Sequence, residues 1–289
     1  MLIPKPPKNK IQSIVEGSLG SKVLAIQDVS KGFDHHVYKV KTSKKTVIFR
    51  FPKRKEYVSR LKVHEWVNAE WIKRGIKVPQ TLFRGSNYLI ETFIEGKPLH
   101  KVKLTKKNKK RLLIQVGKCL KKMHKLKCKN YGEIIHVNRA KNNSWRAYLK
   151  GEVQDFLSRI KKNKRLKGKE ITELKRWFDK SPKFIKRASV LHADIKLEHI
   201  LVKNRKLAGI IDASDTSAGD PMLDFADFYI KYPKQEVQHV LEGYGSHDMK
   251  KIQYYAALIL LRRIAYHPDS QEKRRKKLFQ ITQIPYQNI

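Results

Sequence analysis

Residues 192–201 read His-Ala-Asp-Ile-Lys-Leu-Glu-His-Ile-Leu, and the next apolar run ends in Ile210-Ile211-Asp212-Ala213-Ser214-Asp215. The separation of Asp194 from Asp212, 18 residues, leaves room for a short loop, a strand at 200–202, a polar turn at 203–206 and a return strand at 207–211. Two short antiparallel strands then flank the segment and aim both carboxylates at one point. No other stretch of the chain is constrained so tightly by residue type and spacing together.

Two carboxylates so placed suit phosphoryl transfer. In that chemistry a loop His-x-Asp-x-x-x-x-Asn carries an orienting or basic Asp and, five residues on, a metal ligand, while a second Asp after a strand holds the bridging metal. Asp194 and His199 keep the five-residue spacing. On this loop, on Asp212, and on Gly219-Asp220-Pro221 with Asp224, the chain resembles the aminoglycoside phosphotransferase family, a small-molecule branch of the protein-kinase-like fold. Gly32-Phe33-Asp34 before Val37-Tyr38-Lys39-Val40 resembles the family's nucleotide-covering hairpin, 47–52 its third strand, and Leu120-Lys121-Lys122-Met123-His124 the end of an early C-lobe helix. The resemblance runs from about Ser21 to Phe228.

It implies an α+β, two-lobed kinase-like fold, with a β-rich nucleotide-binding lobe over 1–95 and a mostly α-helical catalytic and substrate-binding lobe over 96–289. It also implies ATP or GTP as phosphate donor and Mg²⁺ as cofactor. Asp194 is then the group that orients and deprotonates the acceptor hydroxyl, and Lys196 either neutralises the moving phosphoryl group or faces solvent. Asp212 and His199 are the metal ligands. Arg50 contacts the α- and β-phosphates and pairs with a helix carboxylate, Glu65, with Glu70 as competitor. Gly32 and Phe33 cover the nucleotide, and Glu91, Thr92 and Phe93 belong to a hinge whose backbone reads the purine edge. Asp215 contacts substrate or metal-bound water; Asp220 caps a turn or meets substrate, and Asp224 caps the helix that follows.

The departures from the family pattern are specific. His199 stands where many members have Asn, as in the 2″-aminoglycoside and macrolide kinase subgroups; imidazole ligates through a neutral nitrogen, whereas magnesium prefers oxygen. Arg50 replaces a phosphate-gripping Lys with a planar fork. Ala213-Ser214 replaces the Phe-Gly that follows the metal Asp in kinases, and Gly32 is the sole glycine of the covering loop.

Charge supplies the competing reading. The chain of 289 residues has 65 Lys and Arg against 26 Asp and Glu, a net charge of +39, which attracts polyanions. The segment 194–227 runs the other way, with seven acids against four bases, and this predicts an acidic cleft in a basic body. The resemblance makes an aminoglycoside or another antibiotic the leading acceptor; an acidic cleft suits a polycation, although the same carboxylates would serve a metal with any substrate. A metabolic amino alcohol or sugar, and a kinase-fold binder of RNA or another polyanion with little catalysis, stand as alternatives. The hydrophobic share of 40% excludes intrinsic disorder. Cys119 and Cys128 are too few for a disulfide framework. The late apolar run at 256–261 is far shorter than the roughly twenty residues a bilayer requires, so the expectation is a cytoplasmic monomer without a membrane span.

Periodicity predicts a three-strand meander over 23–51, a helix over 58–73, a short strand bracketed by Pro79 and Gly85, a strand at 88–93, and a boundary turn at 95–98. Helices follow from an N-cap at Thr105 to His124, over 144–162 and over 170–179, with a mostly helical remainder from Leu223. His35 and His36 are neighbours on a strand and point to opposite faces, which argues against a joint metal site. Trp145, Trp177, Tyr254 and Tyr255 read as packing residues.

Overall fold

The predicted meander forms because β-branched and aromatic residues alternate with polar ones between turns. In the computed structural model, which describes residues 1–30, 34–180, 185–267, 269 and 271–285, strands β1 (Val23–Asp28), β2 (His35–Thr42) and β3 (Thr46–Pro52) pair antiparallel in sequence order. Helix α1 (Lys8–Leu19) precedes them, and α2 (Val58–Lys73) occupies the expected span. Strands β4 (Thr81–Arg84) and β5 (Leu89–Thr92) complete a sheet of order β1-β2-β3-β5-β4. The boundary turn contains a short strand, β6 (Lys97–Pro98).

Further along lie α3 (Lys106–Met123), β7 (Lys127–Cys128), β8 (Tyr131–His136), β9 (Arg139–Asn142), α4 (Trp145–Lys162), α5 (Gly168–Asp179) and β10 (Ala188–Leu191). The hairpin β11 (Ile200–Lys203) and β12 (Lys206–Ile210), strand β13 (Ser217–Gly219) and helices α6 (Met222–Lys231), α7 (Lys234–Tyr244), α8 (Met249–Tyr266) and α9 (Gln271–Thr282) follow. Asn204 and Arg205 both have positive φ, 50° and 59°, the two-residue turn whose twist matches that of its flanking strands.

The chain divides into two compact units that are discontinuous in sequence. The first comprises Met1–Asn108, Ile134–Arg139 and Leu197–Thr216; the second comprises Lys109–Glu133, Ala140–Lys196 and Ser217–Ile289. In the first, Ile11 and Val15 of α1 join Val40, Val47, Phe49 and Ile90 of the five-stranded sheet in one apolar core. The spacing of Ile11, Ile14 and Val15 marks one helix face, a signal swamped in the sequence by surrounding lysine and proline. The hairpin β11–β12 belongs to this unit too, because β11 pairs with β6 through Leu201↔Pro98 and Val202↔Lys97. The expected boundary turn is thereby a strand edge.

In the second unit β10 lies between β7 and β13, with register Ser189↔Gly219 and Val190↔Ala218. Trp145, Tyr254 and Tyr255 are buried and Trp177 stacks on Tyr254, so these aromatics are packing residues as expected. Helices α3 and α7 approach closely at two glycines. A Cβ built on Gly117 would stand 2.0 Å from the Val240 carbonyl oxygen, and one on Gly243 2.0 Å from that of Ile114. Gly151, on the exposed face of α4, has nothing within 4 Å of such an atom.

The same substitution therefore has opposite signs at two helix-interior glycines. Gly117→Ala must push two helix backbones apart, costing about 2 kcal/mol and lowering Tm by roughly 5 °C. Gly151→Ala, which only restricts the unfolded chain and improves helix propensity, raises stability by about 0.5–1 kcal/mol. Thermal unfolding of the two variants beside wild type checks both signs.

Candidate active site

In the first unit the site grows from a buried cation. Arg50 on β3 is 7% exposed and Glu91 on β5 1% exposed. Glu91 stands opposite Ile48 in the β3–β5 ladder, and residues two apart on a strand share a face, so Glu91 meets Arg50 diagonally. Arg50 Nε donates to Glu91 Oε2 at 3.1 Å. The other oxygen, Oε1, lies 2.7 Å from His64 Nε2 and accepts from Asn68 Nδ2 at 3.5 Å. His64 and Asn68 are one helical turn apart on α2 and face the sheet together.

The expected partner of Arg50 is thus corrected. Glu65, one residue and about 100° further round α2, accepts instead from Arg84 Nε at 2.6 Å. Glu70, the competitor, is engaged by Lys73 and Arg74. Burial alone would push the Glu91 carboxyl up, but the charges of His64 and Arg50 and the hydrogen bonds they make outweigh it and hold the group at about 2. His35, also buried beside Arg50, is driven down by desolvation and by that cation to about 2, and so stays neutral. His36 is half-buried on the opposite face.

The far side of the Arg50 guanidinium meets the end of the β11–β12 hairpin. Arg50 Nη1 donates to Ser214 Oγ at 3.0 Å, and Ser214 Oγ donates to Asp212 Oδ1 at 2.9 Å. Asp212 Oδ1 is also 3.8 Å from Nη1. His199 Nε2 approaches the second oxygen, Oδ2, at 3.3 Å, and the Ile211 N–H bonds the His199 carbonyl at 2.9 Å to close the hairpin base. Asp212 has left-handed backbone, φ 68° and ψ 57°, a region Asp tolerates better than most residues. Asp212 and His199, expected together, are brought together; Asp215 is exposed at the end of the turn that follows.

At the hinge, Thr92 is occupied structurally. Its N–H donates to the Gln80 carbonyl, and its Oγ1 accepts from the Gln80 N–H, each at 2.9 Å. The Glu91 side chain serves Arg50, and Phe93 lies just past the end of β5 with Lys39 Nζ 4.3 Å above its ring. Gly32 and Phe33 lie outside the described residues.

In the second unit the loop 192–194 is fixed by a buried carboxylate. Asp224 accepts from the His192 N–H at 2.9 Å and the Ala193 N–H at 2.7 Å. His124 Nε2 lies 2.9 Å from Asp224 Oδ2, and His124 Nδ1 lies 3.1 Å from the Tyr244 hydroxyl. Burial opposes the charge on Asp224, but these donors prevail and keep its carboxyl below the ordinary range. Ala193 carries φ 62°, a region that favours glycine. Lys196 Nζ bonds Asp194 Oδ2 at 2.7 Å, so its expected charge role begins as an ion pair with Asp194.

Asp220 is corrected as a substrate contact. It is 2% exposed and accepts from Lys251 Nζ, the Tyr255 hydroxyl and the Met222 N–H at 2.9, 3.2 and 3.0 Å. Trp145 Nε1 donates to that Tyr255 hydroxyl at 2.9 Å. Of the seven acids counted over 194–227, Asp220, Asp224 and Asp227 are buried against Lys251, His124 and Lys231, respectively.

The profile of the phosphotransferase enzyme family (APH) matches residues 25–258. The chain belongs to that family. The macrolide 2′-phosphotransferase MphH from Brachybacterium faecium shares its fold at 13% identity, covering 97% of this chain and 99% of that one, with a TM-score of 0.69. The streptomycin–ATP ternary complex of APH(2″)-IIa gives 17% identity, 96% and 97% coverage and a TM-score of 0.70. The GDP complex of aminoglycoside 2′-phosphotransferase-IIIa gives 14%, 96% and 99%, and 0.72. No curated protein matches the chain by sequence. This phosphotransferase therefore has the α+β kinase-like fold and is an enzyme that transfers phosphate to a hydroxyl group.

Sequence reasoning missed His64, Asn68 and Ser214 as partners of Arg50 and Asp212. The four-residue spacing of His64 and Asn68 was visible, but nothing local said that this face meets Glu91. Two outcomes follow. Asp224→Asn retains one acceptor for two N–H donors and loses the charge facing His124; it should cost about 3 kcal/mol and at least tenfold in turnover, read by denaturant unfolding and phosphate-transfer kinetics. The Glu91 carboxyl is depressed from 4.5 to about 2, so its stabilisation is fully present above pH 4.5 and is lost as pH falls through about 2; Glu91→Gln should flatten this acid limb of a Tm–pH curve.

Proposed function

We propose that this enzyme transfers the terminal phosphate of ATP or GTP to a hydroxyl of a small polar molecule, with an aminoglycoside or another antibiotic as the leading acceptor class. One observation carries the catalytic part: Asp194 stands on a loop whose two preceding backbone N–H groups are fixed by the buried Asp224. A carboxylate on so fixed a backbone is suited to orienting an attacking hydroxyl, and in a loosely dissociative transfer positioning is the main requirement. The solved neighbours support the donor and acceptor classes, being complexes with ATP and streptomycin, with ADP and hygromycin B, and with GDP.

In the reaction the acceptor oxygen forms a bond to the γ-phosphorus while the bond from that phosphorus to the β,γ-bridging oxygen breaks. The hydroxyl proton passes to Asp194, and the nucleoside diphosphate leaves with the bridging oxygen. Lys196 partners the Asp194 carboxylate and balances charge beside it. Arg50 donates to the phosphates of the nucleotide. Asp212, whose carboxylate is 41% exposed and backed by Ser214, Arg50 and His199, fits a magnesium ion through oxygen, with His199 as the accompanying ligand. Magnesium supplies neutralisation of the phosphate oxygens there.

The acids Asp220, Asp224 and Asp227 are paired inside the fold, so the acid count of the segment gives only part of its weight to a polycationic acceptor. A metabolic amino alcohol or sugar therefore stands as the second acceptor class. Mass spectrometry of wild type with Mg-ATP or Mg-GTP and a panel of aminoglycosides, macrolides and metabolic alcohols should give one phosphorylated class. Asp194→Asn should lower that rate by about 10²–10⁴, and Asp212→Asn should lower it at least as far. Turnover unchanged in either variant contradicts the assignment. RNA retained on a filter, with no product from any acceptor, favours the polyanion-binding alternative.

A further inference from the structure

We propose that Glu91 is a positioning residue for nucleotide phosphate: the carboxylate that orients the Arg50 guanidinium sits on strand β5, not on helix α2, and Ser214 couples the same guanidinium to Asp212. The inference rests on the nucleotide-dependent reading given above and names a residue set for it.

The geometry holds two of the three guanidinium nitrogens. Nε is held by Glu91 and Nη1 by Ser214, at 3.1 and 3.0 Å. Among the described residues no hydrogen-bond acceptor occupies Nη2. Glu91 is fixed on its other oxygen by His64 and Asn68, so the carboxylate cannot swing without breaking bonds to α2. Ser214 spends its one proton on Asp212 and accepts from Arg50. The fork is thereby clamped from the sheet and from the hairpin, with donors remaining for an anion. A planar fork is needed for this arrangement, because a lysine ammonium presents one point charge and cannot be fixed along an edge.

The pull on Arg50 is two-sided. Glu91 holds Nε while Asp212 Oδ1 waits 3.8 Å from Nη1. Without the Glu91 charge, the nearest remaining carboxylate to the guanidinium is Asp212, and collapse onto it would withdraw a phosphate contact and burden the metal carboxylate together. The consequence is specific to ligands that carry phosphate. A loss of general packing would instead affect the nucleoside and the nucleotide alike.

Titration calorimetry of the full chain with Mg-ATP and with adenosine, at one salt concentration, reads this out. In wild type ATP should bind more tightly than adenosine. Glu91→Gln and Arg50→Met should each lower ATP affinity by about tenfold, the equivalent of one charge-assisted hydrogen bond, with adenosine affinity changed less than about twofold. The double variant should be no weaker than Arg50→Met alone, since Glu91 acts through Arg50. Ser214→Ala, which removes no buried charge, should lower ATP affinity by a smaller factor and again spare adenosine; it carries the test should Glu91→Gln not fold. An ATP-to-adenosine preference that persists unchanged in folded Glu91→Gln, or in Ser214→Ala if the former does not fold, overturns this inference alone. A wild-type protein that binds ATP no better than adenosine overturns the nucleotide reading and this inference with it.

Discussion

A guanidinium taken out of water must be met by a carboxylate and hydrogen bonds, and the first unit is organised around that demand. Removing one partner of such a buried pair typically costs about 3–5 kcal/mol, because the other charge is left uncompensated. Three pieces of structure must agree to satisfy Arg50. The β3–β5 register must put Glu91 on its face. Helix α2 must be rotated so that His64 and Asn68, not Glu65, look inward. The β11–β12 hairpin must close so that Ser214 arrives on the other side. Arg50 is therefore a keystone of folding, and its orientation is set by the protein's own groups.

The second unit applies the same physics to a different end. Asp224 is a buried carboxylate whose charge is met by two backbone N–H groups and by His124. Backbone donors fix a loop more rigidly than a side chain does, since they leave no rotamer to relax. The fixation holds Ala193 at φ 62°, a conformation that costs a non-glycine residue about 1 kcal/mol or more. In both units a buried carboxylate decides where its neighbours stand, Glu91 for the Arg50 guanidinium and Asp224 for the 192–193 backbone.

Electrostatics changes meaning when local sums are replaced by pairs. The net charge of +39 is a property of the whole chain, while the acids of 194–227 looked like an acidic face. Once Asp220, Asp224 and Asp227 are paired inside the fold, they hold loops and helices in place. Their count says little about the charge of an acceptor. Composition counts charges, whereas function depends on which of them face water.

Much of this protein was legible in its sequence because the relevant signals are local. Alternation marked β1 to β3, helical spacing marked α2 over its observed span, and the 18 residues from Asp194 to Asp212 left room for the two-residue turn at Asn204 and Arg205. The 192–194 loop and the spacing that puts Asp212 at the end of the β11–β12 hairpin beside His199 were legible from residue type and order. Helix α1 was hidden because a lysine-rich, proline-flanked segment dilutes its apolar face. Only the tertiary structure decided which carboxylate Arg50 meets, that Asp220 is filled by Lys251 and Tyr255, and that β6 is a strand edge. Glu91 is 41 residues from Arg50 and Ser214 is 164. Pairings at such distances depend on strand register and on the rotation of a helix about its axis, and a single residue of slip in either would give Arg50 a different partner.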